Sequence, residues 1–213
     1  MEFNSSTGYQ IIKKEIKNLL VDFDFIAYKS SILYRVTEED ILQFISFQKG
    51  VQSLSQQMTI NVVLQGLFCP TCSFDLIQPG GRIGSFFNSK SDKWWACNNK
   101  ENTEQSVTEI KECILKYLLP FFDKTATVQN LCDLIDSKEL NFIWTNPYTF
   151  IDKGFFYLKG NHFDKALATF QSNQPSKVAK FKTIKRLIEE HDYAAIEGIL
   201  LDNTNHSKAK WTI

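Results

Sequence analysis

Two cysteines separated by two residues are the residues in this sequence best suited to metal or redox chemistry. Cys69-Pro-Thr-Cys72 has the spacing of half a zinc site, or of a redox pair with one activated thiol. A zinc site needs further ligands, of which Cys97 is the nearest candidate. The pair follows a strand-like segment but opens no clear helix, unlike a thioredoxin-type motif. Two ordinary thiols at the end of a strand are therefore the favoured interpretation; Cys69, Cys72 and Cys97 remain weak metal candidates, and no cofactor is expected.

An arginine and two tryptophans form a second group that could recognise a ligand. A guanidinium can stack on an indole and still donate to a carboxylate, so Arg82, Trp94 and Trp95 would form a binding pocket if they converge. Alternatively, both tryptophans pack at the edge of the core and Arg82 makes a structural ion pair. The residue types favour packing but leave the binding hypothesis open.

Glu38, Glu39 and Asp40 form a short acidic run between two predicted strands. Three adjacent charges usually mark a solvated turn. If the partner is a basic toxin, however, this acidic patch could mimic phosphate, and charge reversal at Glu38 and Glu39 should then weaken binding. Both residues are therefore retained as candidate binding residues.

Catalytic motifs are absent from the sequence, and its composition limits the function further. There is no H-E-x-x-H and no G-x-S-x-G, and the three histidines lack metal-ligand spacing. The 24 basic and 24 acidic residues cancel, which argues against a nucleic-acid binder that relies on a strong positive field. No apolar run reaches the roughly 18 residues of a membrane span. The first residues lack a secretory pattern, so we expect a cytoplasmic protein.

The first two-thirds of the sequence predict a helix, several strands and a second helix. Ile12, Ile16 and Leu20 recur at helical spacing and predict a helix over about 8–21. Short connections between the strands favour an antiparallel meander. We expect a half-buried strand where Ile60 and Val62 alternate with polar residues. The strands are predicted near 23–27, 32–37, 42–48 and 58–67, followed by an irregular segment to about 103 and by a helix from about 107 that Pro120 ends or kinks.

From about residue 125 onward, the sequence predicts only helices. Thr127 is a suitable N-cap for the first of them. The segments beginning at Leu158 and Ile188 each place an aromatic residue after a polar turn, about 30 residues apart, and are weakly similar to tetratricopeptide-type hairpins. The predicted helices span 128–137, 151–159, 163–170, 178–190 and 193–201. The predicted fold is α+β, with a mainly antiparallel sheet flanked by helices in domain 1–124 and an all-helical extension over 125–213.

The order of several short segments resembles a known bacterial family. After the opening helix come, in order, Phe25-Ile26, Tyr34-Arg35, Phe47-Gln48-Lys49, Thr59-Ile60-Asn61-Val62, Arg82-Ile83-Gly84, Trp94-Trp95 and Leu119-Pro120-Phe121. Over about residues 8–123 this order is similar to the family catalogued as domain of unknown function 4304. The chain departs from it by lacking a glycine soon after Asn61 and by its long helical extension. The resemblance implies a bacterial cytoplasmic protein with helices and a sheet, and it implies no chemistry.

These observations together predict a non-catalytic protein that binds another protein. The leading hypothesis is an immunity or antitoxin-like protein that neutralises its partner by covering a surface, in analogy with families of this kind. One alternative is an adapter that binds a peptide through the C-terminal helices. Another is a metal or redox protein built on Cys69 and Cys72. The sequence leaves the oligomeric state open.

Overall fold

The computed structural model describes residues 3–72, 80–86, 93–139, 149–172 and 181–212. The chain divides into two compact units. The first unit comprises Met1–Arg35, Gln43–Val63 and Gly80–Lys124, and the second comprises Val36–Leu42, Leu64–Pro79 and Thr125–Ile213. The chain passes into the second unit for the last time at Thr125. Two segments from the first part of the chain also belong to the second unit.

The strands form an antiparallel sheet, as the sequence predicted. Its strands are β1 (Ile26–Tyr28), β2 (Ile32–Val36), β3 (Ile41–Lys49), β4 (Gln57–Gly66) and β5 (Gly80–Arg82), which are neighbours in that order, with β6 (Trp95–Ala96) also paired to β4. β5 and β6 lie in the segment that was predicted to be irregular. Each is too short to give a periodic signal, and both are defined by their pairing with β4.

The polar residues of β4 are buried, so the prediction of a half-buried strand is wrong. Thr59 and Asn61 are only 0% and 3% exposed. Their side chains have partners in the first unit: the Thr59 hydroxyl donates to the Lys93 carbonyl at 3.0 Å, and the Asn61 amide donates to Gln48 Oε1 at 3.2 Å. Alternation in the sequence therefore distinguishes apolar from hydrogen-bonded positions here, rather than buried from exposed ones.

Helix α1 (Ser5–Val21) begins three residues before the predicted start. The Asn4 side chain accepts hydrogen bonds from the backbone N–H groups of Ser6 and Thr7, which caps the first turn. Ile12, Ile16 and Leu20 are completely buried, which confirms the predicted apolar face. A Cβ atom at Gly8 would lie 2.2 Å from the Cys97 carbonyl oxygen, so glycine permits a close backbone approach at this end of the helix.

Helix α2 (Lys100–Cys113) starts within the polar run that was predicted to be a loop. Asn99 provides the N-cap, because its side chain accepts from the Asn102 N–H at 2.8 Å. A π-helical turn (Ile114–Leu118) and then α3 (Leu119–Lys124) continue the helical path. Pro120 therefore does not end the helix. The π turn, in which the Leu119 N–H bonds to the Ile114 carbonyl, immediately precedes this proline, which itself lacks an N–H donor.

The second unit contains the remaining helices. These are α4 (Val128–Asp136), α5 (Thr149–Lys159), α6 (Phe163–Gln171), α7 (Lys182–Glu189) and α8 (Tyr193–Trp211). Thr127 caps α4 through a bond from the Asn130 N–H, as predicted. Residues 178–180 of one predicted helix lie outside the described residues. α8 is ten residues longer than predicted, because Thr204, Ser207 and Trp211 continue its buried face through a polar sequence.

Within the described ranges, no helix combines the length and the apolar character needed to cross a membrane.

Candidate binding surfaces

The first unit brings Arg82 and Trp94 together, as the binding hypothesis required. The Arg82 guanidinium carbon lies 5.0 Å from the centre of the Trp94 ring, which is a cation–π distance. Arg82 is paired with Asn61 across β4 and β5, and the residue after Trp94 is paired with Met58 across β4 and β6. Both partners are therefore fixed by backbone pairing to the same strand. Their side chains are partly exposed.

A close approach between two backbone segments supports this pair. A Cβ atom at Gly84 would lie 2.6 Å from the Lys93 backbone nitrogen, so the turn after β5 lies directly against the segment that leads to Trp94. The Thr59 hydroxyl also donates a hydrogen bond to the Lys93 carbonyl. Arg82 and Trp94 are consequently pre-organised at an edge of the sheet, and little conformational entropy remains to be lost when a partner binds.

Trp95 does not share this surface, because it is only 2% exposed. Its ring lies 5.5 Å from the Lys93 ammonium, which also pairs with Glu109 at 2.5 Å. The hydrogen bond from Lys93, with a further contribution from Trp95, lowers the pKa of the Glu109 carboxyl. Trp95 therefore packs in the interior and anchors the segment, while Trp94 is the tryptophan that a partner could touch.

In the second unit, two of the three acidic side chains of the turn form contacts within the protein. Glu39 is exposed, but its Oε2 accepts a 2.6 Å bond from the Val128 N–H at the start of α4, where a carboxylate is favoured. Asp40 forms a 2.7 Å ion pair with Lys208. Glu38 is exposed. The proposal that Glu38 and Glu39 bind a basic partner remains a prediction, and Glu39 also has a structural role.

Cys69 and Cys72 lie beside a buried carboxylate in the second unit. Asp152 is 3% exposed and accepts a 2.5 Å bond from the Thr71 hydroxyl, and the Cys69 thiol is a further donor to it. Burial raises the pKa of Asp152 to about 6. Burial and the nearby Asp152 raise the pKa of Cys69 well above its usual range and that of Cys72 to about 12. At neutral pH both residues are thiols rather than thiolates, and thiolates are the reactive and metal-binding form.

The third metal candidate, Cys97, belongs to the first unit. Its Sγ lies 3.3 Å from the Gln56 carbonyl oxygen, and burial raises the pKa of its thiol. Across the part of the chain that the structure describes, no three His, Cys, Asp or Glu side chains are arranged to hold a metal ion.

Two concave surfaces that the sequence did not predict carry several functional groups. One groove in the first unit, of about 320 Å³, is lined by Lys13, Lys14, Lys17 and Lys29 above an apolar floor. The other, in the second unit and about 600 Å³ in size, lies between the turns that precede α6 and α8. The stripe of lysines was visible in the sequence as the polar face of α1. The strands that complete the first groove were predicted as strands, but the sequence did not show that their residues would lie opposite these lysines.

The two turns of the second unit adopt the same backbone geometry. Asn161 and His191 both have positive φ, 60° and 56°. The N–H of each following residue bonds back to the carbonyl five residues earlier, at 2.8 and 2.9 Å. Phe163 and Tyr193, which follow the turns, stack with ring centres 4.4 Å apart. The two similar segments thus form matching helix–turn–helix junctions, and the tetratricopeptide comparison stays a prediction.

The antiparallel sheet and the helices that flank it define an α+β fold, and the C-terminal region is helical. Residues 27–124 match the family model described as "Domain of unknown function (DUF4304)", which confirms the family resemblance over that part of the chain. No match was found among curated proteins or among solved structures.

Proposed function

We propose that this is a non-catalytic protein that binds a protein partner through the edge of its sheet, with Arg82 and Trp94 as the anchors. The observation that carries the proposal is the cation–π contact between Arg82 and Trp94, with the guanidinium carbon 5.0 Å from the ring centre and both residues partly exposed. Trp and Arg are over-represented among the residues that contribute most to protein–protein affinity.

A guanidinium that lies against an aromatic ring is a suitable group for recognising a carboxylate. An arginine held on an aromatic face still presents planar N–H groups to a carboxylate, and its weak hydration lowers the cost of burying it in an interface. The finer proposal is that the protein is bacterial and cytoplasmic, and that it acts as an immunity or antitoxin-like protein by covering its partner's functional surface. Neither a cofactor nor nucleic acid is part of the proposal.

The test is a pull-down from native lysate with the wild-type protein and two double variants, followed by mass spectrometry. Arg82→Ala/Trp94→Ala removes the anchors. Arg186→Ala/Tyr193→Ala removes the same kinds of side chain from the second unit, where Arg186 is 60% and Tyr193 45% exposed. A stoichiometric partner that is lost only with the first variant supports the proposal. A partner that both variants retain would reject this surface.

The adapter is the second candidate, and the groove of about 600 Å³ between the two matching turns favours it. The groove offers the aromatic pair Phe163 and Tyr193, with Leu167 and Ile188 beside them. A peptide could place an apolar side chain there. Loss of the partner with Arg186→Ala/Tyr193→Ala alone, in a variant that unfolds at the wild-type temperature, would favour the adapter. The raised pKa values of Cys69 and Cys72 weigh against the metal or redox alternative.

A further inference from the structure

Four lysines in the first unit line one groove. Gln10, Lys13, Lys14 and Lys17 follow one another at helical spacing along α1 and form one wall. Ala27, Lys29 and Ser30, from β1 and the turn after it, form the other. Among the described residues, those that line this groove include no acidic side chain. It is therefore a concentrated positive site on a chain whose net charge is zero.

The floor of the groove is apolar and is held in a fixed position. Ile32, Leu33 and Phe47 contribute it, and they are 9%, 4% and 6% exposed. The Tyr9 hydroxyl donates a 3.2 Å hydrogen bond to the Phe47 carbonyl, which ties α1 to β3 beside the groove. A ligand that fits must therefore combine negative charge with apolar surface.

The spacing of the lysines on α1 destabilises this helix, although lysines could keep the protein soluble without being placed next to one another. Lys13 and Lys17 are four residues apart on α1, and Lys14 and Lys17 are three apart, so like charges adjoin and destabilise the helix by about 0.2–0.5 kcal/mol per pair. The acidic residue within this stretch, Glu15, is paired with Lys111 at 2.7 Å instead. Burial lowers the pKa of Lys13, so an incoming carboxylate would stabilise its charged form.

We propose that this lysine groove binds an acidic segment of a partner protein, with carboxylates on the four lysines and an apolar side chain on the floor. Nucleic acid is the less favoured occupant. Its phosphates would match the lysines, but it would leave the apolar floor without a matching group. The groove is separate from the Arg82–Trp94 edge, so either proposal can fail without the other.

The experiment measures binding of a labelled twelve-residue peptide of alternating Glu and Leu/Phe by fluorescence anisotropy. Lys13→Gln/Lys17→Gln should weaken binding at least about tenfold in low salt and should flatten its salt dependence. Lys100→Gln/Lys185→Gln is the matched control, because each of these lysines lies on an exposed helix face with an acidic residue four positions on. The control and Arg82→Ala/Trp94→Ala should both bind as the wild type does.

A charge-reversal variant distinguishes binding in the groove from non-specific electrostatic attraction. Lys13→Glu/Lys17→Glu should lose the acidic peptide and gain a peptide in which Lys replaces every Glu. Equal losses in the groove variant and in the matched control would overturn the proposal. So would binding of a twelve-nucleotide single-stranded DNA more tightly than the acidic peptide, or no binding of the peptide to the wild type.

Discussion

The Thr71 hydroxyl donates a 2.5 Å hydrogen bond to the Asp152 carboxylate, which is 3% exposed inside the second unit. This bond joins the turn that carries Cys69 and Cys72 to helix α5. Burial outweighs the hydrogen bonds that Asp152 accepts from Thr71 and Cys69, so its pKa is raised to about 6. Burial therefore favours the protonated form of Asp152, although the hydrogen bonds from Thr71 and Cys69 favour the ionised form.

The first prediction concerns pH. A carboxyl group whose pKa is raised on folding costs nothing when it is protonated in both states. The ionised group destabilises the folded protein, and this effect develops as the pH rises from about 4, the pKa in the unfolded state, through about 6, the pKa in the folded state. The full cost is on the order of 3 kcal/mol. Asp152→Asn should therefore increase the free energy of unfolding at pH 8, as measured in urea, and the gain should vanish near pH 4. A gain that is equal at both pH values would contradict the account.

The second prediction concerns the thiols. Because burial raises the pKa of Cys72 to about 12 and that of Cys69 well above its usual range, both should resist alkylation by iodoacetamide at pH 7.5. Peptide mapping after a short exposure should find neither residue modified, whereas the five cysteines should all react in guanidinium chloride. Rapid labelling of Cys69 in the native protein would instead favour the redox alternative.

The third prediction compares two glycines in helices. Gly8→Ala would place a Cβ 2.2 Å from the Cys97 carbonyl oxygen and should lower the free energy of unfolding by about 1–3 kcal/mol. Gly198, in α8, has nothing within 4 Å of a new Cβ. Gly198→Ala should raise stability by about 0.5–1 kcal/mol. Denaturant titration of both variants checks the pair, and a neutral Gly8→Ala would refute the close approach.

The fourth prediction separates structure from binding in the acidic turn. Glu39→Gln weakens the bond to the Val128 N–H and removes a charge from the N-terminus of α4, at a cost of about 1 kcal/mol. Glu38→Gln, at the neighbouring exposed position, should stay within about 0.5 kcal/mol of the wild type. Thermal unfolding distinguishes them. Glu38→Gln is therefore the variant with which to test whether the turn binds a basic partner.

Sequence periodicity predicted the parts of the fold that rest on apolar faces. Ile12, Ile16 and Leu20 located α1, and the cap at Thr127 located α4, because both signals are local. β5 and β6 were missed because each consists of two or three residues ordered by pairing with β4. The last ten residues of α8 were missed because their sequence is polar, although Thr204, Ser207 and Trp211 bury one side of the helix.

The candidate sites, too, were predicted only in part from the sequence. Residue types suggested the Arg82–Trp94 pair, but the sequence could not tell which of the two adjacent tryptophans faces outward. Asp152 gave only a faint signal, as an isolated acid in an apolar helix. The lysine stripe was plain in α1, but the groove depends on the turn at Lys29, which only tertiary structure brings opposite to it.

The most direct test of the central claim is titration calorimetry of the purified partner against the wild type, Arg82→Ala/Trp94→Ala and Arg186→Ala/Tyr193→Ala. We predict one-to-one binding that weakens at least about tenfold in the first variant, because truncating an interface anchor costs about 2 kcal/mol or more. The second variant should keep wild-type affinity. Unchanged affinity in Arg82→Ala/Trp94→Ala would contradict the claim that this edge of the sheet binds the partner.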